Sequence, residues 1–180
     1  MGEFITLTAA DGHKFDCYKA DPAGAPKGGL VVIQEIFGVN SHVREVADGF
    51  AKDGYAVLAP ALFDRAEKNF EVGYKPEDIA KGRDTRAKVP WDDAVKDVAA
   101  TVAALKAAKV GKIGSVGYCW GGFVTYLAAC RLDIQAASGY YGGGIPDVID
   151  EKPKCPTILH FGDSDASIPL SDVEVINADY

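Results

Sequence analysis

The stretch that most constrains this chain is residues 112–123, KIGSVGYCWGGF. An apolar run leads into Gly117-Tyr118-Cys119-Trp120-Gly121 and then directly into an apolar segment of helical character. A residue held on so sharp a strand-to-helix turn needs glycine two positions before and two after it, because side chains there would collide. The turn lifts the Cys119 sulfur into the open and sets it near a helix N-terminus, whose dipole favours a thiolate. A glycine-rich turn of this kind could instead hold a phosphate. Against that, the G-x-G-x-x-G spacing is missing, and Phe123 stands after Gly121-Gly122 where a P-loop would need lysine.

The flanking sequence supplies the sheet that such a turn requires. Residues 29–34 (GLVVIQ) form a continuous apolar run, expected of a parallel strand buried on both faces. Asn40 or Ser41 can cap a helix in which Val43, Val46, Ala47 and Phe50 keep helical spacing, and a second buried run covers 55–59. Together these make one βαβ unit. Residues 4–8 and 14–19, either side of Asp11-Gly12, read as an edge hairpin. Residues 64–90 are charged and punctuated by Pro76 and Pro90, which predicts a loop or short helix outside the sheet. From 91 to 109, Ala94, Val95, Val98, Val102 and Leu105 form one apolar stripe at 3.6 periodicity, with Asp92 and Asp93 in the first turn. Strands at 112–118, 135–140 and 157–161 and a helix at 121–131 continue the alternation, and a further helix starts near Ser171. The pattern predicts one α/β domain over 1–180, with a mostly parallel sheet and its site at the carboxyl ends of the strands.

Composition excludes several function classes. The 180 residues carry 19 Lys plus Arg against 26 Asp plus Glu, a formal charge of −7. Nucleic-acid binding needs clustered basic residues that are absent here, so no nucleic-acid partner is expected. No apolar run is long enough for a bilayer, and no basic region with a following apolar run opens the chain. No membrane partner and a cytoplasmic location follow as expectations. Cys17, Cys119, Cys130 and Cys155 form no C-x-x-C pair, which fits neither a zinc site nor a disulfide framework, and no metal or organic cofactor is implied. Cys130 and Cys155 read as structural thiols.

Four segments carry a resemblance to a known family. Gln34-Glu35-Ile36-Phe37-Gly38-Val39-Asn40, Gly117-Tyr118-Cys119-Trp120-Gly121-Gly122, Gly139-Tyr140-Tyr141-Gly142 and His160-Phe161-Gly162-Asp163-Ser164-Asp165, in this order, resemble the dienelactone hydrolases (carboxymethylenebutenolidases). The resemblance implies an α/β-hydrolase fold, a cysteine nucleophile and a small carboxylate-bearing ester or lactone as substrate. In that family the reaction converts dienelactone to maleylacetate in the degradation of chloroaromatic compounds.

The resemblance makes Cys119 the nucleophile and Asp165 the acid of a Cys-His-Asp triad. Asp165 could instead cap the turn before Ile168-Pro169, and Asp163 competes for the acid's place. The oxyanion hole falls to the backbone N–H of Trp120 and that of Ile36. Glu35, an acid ending an apolar run, should be partnered or functional. The resemblance implies that it touches the resting thiol; an ion pair with Arg44 is the structural alternative. Arg83 or Arg86 is implied in binding the substrate carboxylate, although a solvated charged face explains either. Tyr141 lines the pocket or is a buried tyrosine with a local hydroxyl partner.

The triad histidine must follow the acid in chain order. The histidines are His13, His42 and His160, all before Asp165. A complete relative would add a strand, a loop bearing histidine and a closing helix, so the sequence reads as truncated at its C-terminus. An exposed sheet edge and uncovered apolar surface are expected in consequence, with a monomer for a full-length chain. Three functions stand in order: hydrolase, binding module or fragment completed by another chain, and nucleotide-binding domain.

Overall fold

The computed structural model describes residues 2–179. Among them, seven strands form one sheet in the order β1-β2-β4-β3-β5-β6-β7. The edge hairpin is β1 (Glu3–Thr8) and β2 (Lys14–Ala20), antiparallel to each other, and β2 continues antiparallel onto β4 (Ala56–Pro60). The rest is parallel: β4 on β3 (Gly29–Ile33), β3 on β5 (Ile113–Tyr118), β5 on β6 (Ala136–Tyr140) and β6 on β7 (Thr157–His160). A parallel sheet needs crossover helices, and these cover its faces.

On one face lies α1 (Ser41–Lys52), begun by Asn40, whose Oδ1 accepts the Val43 N–H at 3.1 Å. Its Val43, Ala47 and Ala51 pack on Val32, Val57, Ala59 and Val116. The opposite face carries α3 (Trp91–Ala107) and α4 (Trp120–Arg131) over Val31, Ile33 and Ile113. Every residue of α4 from Trp120 to Cys130 is buried, so this apolar helix is core on all sides and its N-terminus is rigidly placed. Beneath it, Arg65 bonds the fully buried Asp97 of α3 through Nε at 2.8 Å and Nη2 at 2.7 Å, and reaches Asp11 at 3.0 Å.

Residues 64–90 hold more structure than their pattern suggests. A 3-10 turn spans Leu62–Arg65, and α2 runs over Pro76–Ala87 as a regular helix of 12 residues. It has no apolar stripe. Pro76 at its first position, Glu77 and Asp78 in the first turn and a Lys75 N–H bond to Asp78 Oδ2 at 3.3 Å start it instead. Its buried Gly82 lies so close to the Ile36 carbonyl that an added Cβ would overlap the oxygen.

The expected uncovered apolar surface lies on the α1 side of the sheet. A groove of about 540 Å³ runs over Leu30, Val116, Tyr118, Tyr140 and Ile158, with Phe50 and Tyr55 on its α1 side. Ile158 on the edge strand β7 is 61% exposed. The last helix, α5 (Leu170–Asp179), packs near the 3-10 turn at Ile145–Val148.

Candidate active site

Cys119 sits between β5 and α4 with φ 56° and ψ −122°, a left-handed backbone that a side-chain-bearing residue adopts only under constraint. The constraint comes from both sides. Its N–H donates to the Tyr140 carbonyl at 2.9 Å, and its carbonyl accepts from Gly122 N–H at 2.9 Å. A Cβ on Gly117 would overlap the Gly121 carbonyl, and one on Gly121 would overlap the Ile33 and Gln34 carbonyls. The G-x-C-x-G spacing is thus a packing requirement, with α4 pressed directly on the end of β3.

Burial pushes the Cys119 thiol up, and the nearby carboxylates of Glu35 and Asp165 push it further; the Trp120 N–H and the Arg83 charge act in the opposite direction. The net shift is upward, which corrects the expectation that the helix terminus would favour a thiolate: desolvation outweighs it. These same contributions show which residues the fold gathers. Glu35, Asp165, Trp120 and Arg83 all bear on the sulfur, Arg83 from an exposed position on α2.

Glu35 is half-buried, and burial raises it above the usual carboxylate range, opposed by the charge of His42 and a hydrogen bond from Tyr74. The Tyr74 hydroxyl lies 3.4 Å from Glu35 Oε2 and accepts from Asn40 Nδ2 at 3.3 Å. The alternative pairing of Glu35 with Arg44 does not form. Arg44 makes a two-point bond to Glu71 instead, at 2.7 and 3.1 Å. Asp165 is half-buried in the loop after β7, where Oδ1 accepts the Ser167 N–H at 2.7 Å. It therefore caps its turn and also influences Cys119.

Tyr141 holds φ 40° just after β6, and its N–H bonds the His160 carbonyl at 2.7 Å. The residue is 38% exposed and its hydroxyl is pushed up to about 12 by burial, then by Glu35 and Cys119, so it borders the site rather than filling the core. His160 stacks on Tyr140 at 4.2 Å and His13 on Phe15 at 6.1 Å, while His42 meets Tyr74 edge-on at 6.4 Å. Among the described residues no group of three or more His, Cys, Asp or Glu is placed to hold a metal ion. No helix among them is long and apolar enough to cross a membrane.

Two site residues escape sequence reasoning. Tyr74 comes from the charged segment between β4 and α2, where nothing in the pattern distinguishes it. Gln34, fully buried just after β3, stands out in the sequence only as the polar end of an apolar run and the first residue of the segment that carries the family resemblance, with no role assigned.

The profile of the dienelactone hydrolase family matches residues 15–179. The chain belongs to this family. A carboxymethylenebutenolidase of Pseudomonas putida is 33% identical over 185 residues, covering 98% of this chain and 77% of that protein. A Synechocystis protein provisionally named carboxymethylenebutenolidase is 37% identical over 173 residues, covering 88% of this chain and 70% of its own length. Among solved structures, a Klebsiella pneumoniae protein provisionally named dienelactone hydrolase superposes with a TM-score of 0.85 at 28% identity, over 99% of this chain and 79% of that one. The sheet order and these likenesses make this an α/β-hydrolase fold. As a member of the dienelactone hydrolase family, the chain is of the hydrolase class that acts on lactone and ester bonds.

Proposed function

We propose that this chain performs the nucleophilic half of a cysteine-dependent hydrolysis, on a small ester or lactone that carries a carboxylate. The observation that carries the reading is the strained Cys119, held at a helix N-terminus with the Trp120 N–H acting on its sulfur. In this reaction the thiolate attacks the carbonyl carbon, and the carbonyl oxygen gains negative charge that the N–H groups of Trp120 and Ile36 stabilise. Collapse of that intermediate expels the alkoxide and leaves an acyl group on sulfur, which water then removes. In a lactone the alkoxide stays attached as a new hydroxyl.

Burial, and Glu35 beside it, oppose ionisation of the thiol until substrate arrives. A substrate carboxylate pairs with Arg83, whose charge already acts on the site. Asp165 orients the imidazole that relays protons. Among the described residues the Asp165 carboxylate accepts from the Ser167 N–H, while the rings of His13, His42 and His160 lie against Phe15, Tyr74 and Tyr140. Cytoplasmic location and a role in aromatic degradation belong to the same proposal.

The test compares the chain with Cys119→Ala on p-nitrophenyl acetate in alkaline buffer, where the thiolate needs no separate base. Release of nitrophenolate by the parent chain and its loss in the variant, with an unchanged circular dichroism spectrum, supports the reading. Equal release from both contradicts it.

A further inference from the structure

The buried side chain of Gln34 makes two hydrogen bonds that together fix one peptide plane. Its Oε1 accepts the Leu62 N–H at 3.0 Å, tying it to the turn that follows β4. Its Nε2 donates to the Glu35 carbonyl at 3.1 Å. That carbonyl and the Ile36 N–H belong to the same peptide group, and no peptide bond among the described residues is cis. In a trans peptide the two point in opposite directions. Holding the Glu35 carbonyl therefore aims the Ile36 N–H away from the Gln34 amide, and among the described residues that N–H meets no acceptor.

Two close approaches complete the clamp. Gly121 brings the first turn of α4 against the Ile33 and Gln34 carbonyls, and Gly82 brings α2 against the Ile36 carbonyl. The Glu35–Ile36 peptide is thus flanked by peptides packed against α4 and α2, and the side chain that holds its carbonyl is tied to the turn after β4. A donor on the Glu35 carbonyl also draws electron density from the amide nitrogen, making the Ile36 N–H a stronger donor.

We propose that Gln34 is the positioning residue of the oxyanion hole: it sets the direction and strength of the Ile36 N–H without touching substrate. This inference rests on the reading of Cys119 as an acyl-accepting nucleophile. Such a role must affect reactions that pass through an oxyanion and spare those that do not. Acetylation of Cys119 by p-nitrophenyl acetate develops an oxyanion; alkylation of the same sulfur by iodoacetamide does not. Both consume the thiolate, so their ratio cancels any change in its population.

The experiment measures both rates at Cys119 by peptide mass spectrometry in the parent chain, Gln34→Met and Gln34→Glu. The methionine variant keeps shape and loses both bonds. The glutamate variant keeps an acceptor for Leu62 and, when ionised, loses the donor to Glu35. The ratio of acetylation to alkylation is expected to fall about tenfold to a hundredfold in each folded variant, while alkylation relative to thiolate content stays level. A ratio within about twofold of the parent overturns the inference, as does failure of both variants to fold, which would assign Gln34 to stability alone. If the parent chain itself is alkylated but never acetylated at Cys119, the hydrolase reading fails first and takes this inference with it.

Discussion

The Tyr74 hydroxyl reaches Glu35 Oε2 at 3.4 Å, linking the loop before α2 to the carboxylate that raises the Cys119 thiol. A half-buried acid is thereby held beside a nucleophile whose ionisation it opposes. Glu35→Gln removes that charge and keeps an acceptor for Tyr74. The pH midpoint for iodoacetamide alkylation of Cys119 then moves down, giving faster alkylation at a fixed pH below the midpoint. An unmoved midpoint would show that Glu35 does not govern the sulfur.

The same substitution has a stability signature of predictable sign. Burial raises Glu35 above its unfolded-state range, so its ionisation weighs against folding as pH rises from that range through the folded value. At lower pH the group is protonated in both states and contributes nothing. Glu35→Gln should accordingly melt higher than the parent chain at about pH 8, and the difference should vanish below about pH 4. A difference independent of pH, followed by thermal unfolding, would contradict this.

Gly121 is required by packing. A methyl group there falls on the Ile33 and Gln34 carbonyls, which belong to the central strand and its end and have no room to retreat. Gly121→Ala should lose about 3 kcal/mol in urea unfolding and displace Cys119 with α4. An unchanged unfolding midpoint would show that the turn is looser than its contacts indicate.

The Arg65–Asp97 pair ties the turn after β4 to α3 and tests stability apart from chemistry. Asp97 is fully buried, and removing it takes the partner from Arg65 Nε and one of two from Nη2, leaving Asp11 as the hydrogen-bond partner of the outer nitrogens. Asp97→Ala should cost about 3 kcal/mol, while the fraction still folded alkylates Cys119 at the parent rate. Loss of the alkylation rate in folded protein would mean that the pair shapes the site as well.

Arg83 and Arg86 share α2, and the Arg83 charge lowers the Cys119 thiol. Arg83→Ala should raise the half-saturating concentration of a carboxylate-bearing aryl ester about tenfold to a hundredfold and leave a neutral aryl ester unaffected. Arg86→Ala should change neither, and equal effects of the two would return both to a solvated charged face.

Much of the fold was legible because burial imposes period and composition on a sequence. The runs at 29–34 and 112–118, the stripe from Ala94 to Leu105 and the glycines around Cys119 each mark an element that the structure contains, within a residue or two at its ends. α2 was legible only as the short-helix alternative to a loop over 64–90, since its helix rests on Pro76, a carboxylate at Asp78 and a close backbone contact at Gly82 rather than on an apolar face. The partners around Glu35 were hidden for a different reason. Tyr74 and the Gln34 acceptor for Leu62 act across 39 and 28 residues of sequence, and such pairings leave no local pattern. The Arg44 alternative for Glu35 fails because Glu71 of the intervening loop holds that guanidinium.

The central claim is that Cys119 accepts the acyl group. It is tested most directly by brief exposure to p-nitrophenyl acetate, acid quench and peptide mass mapping of all four cysteines. The account predicts one acetyl group on the peptide that contains Cys119, with Cys17, Cys130 and Cys155 unmodified. Acetyl on another residue while Cys119 stays free, or nitrophenolate release with no acyl-protein at any time, would contradict it.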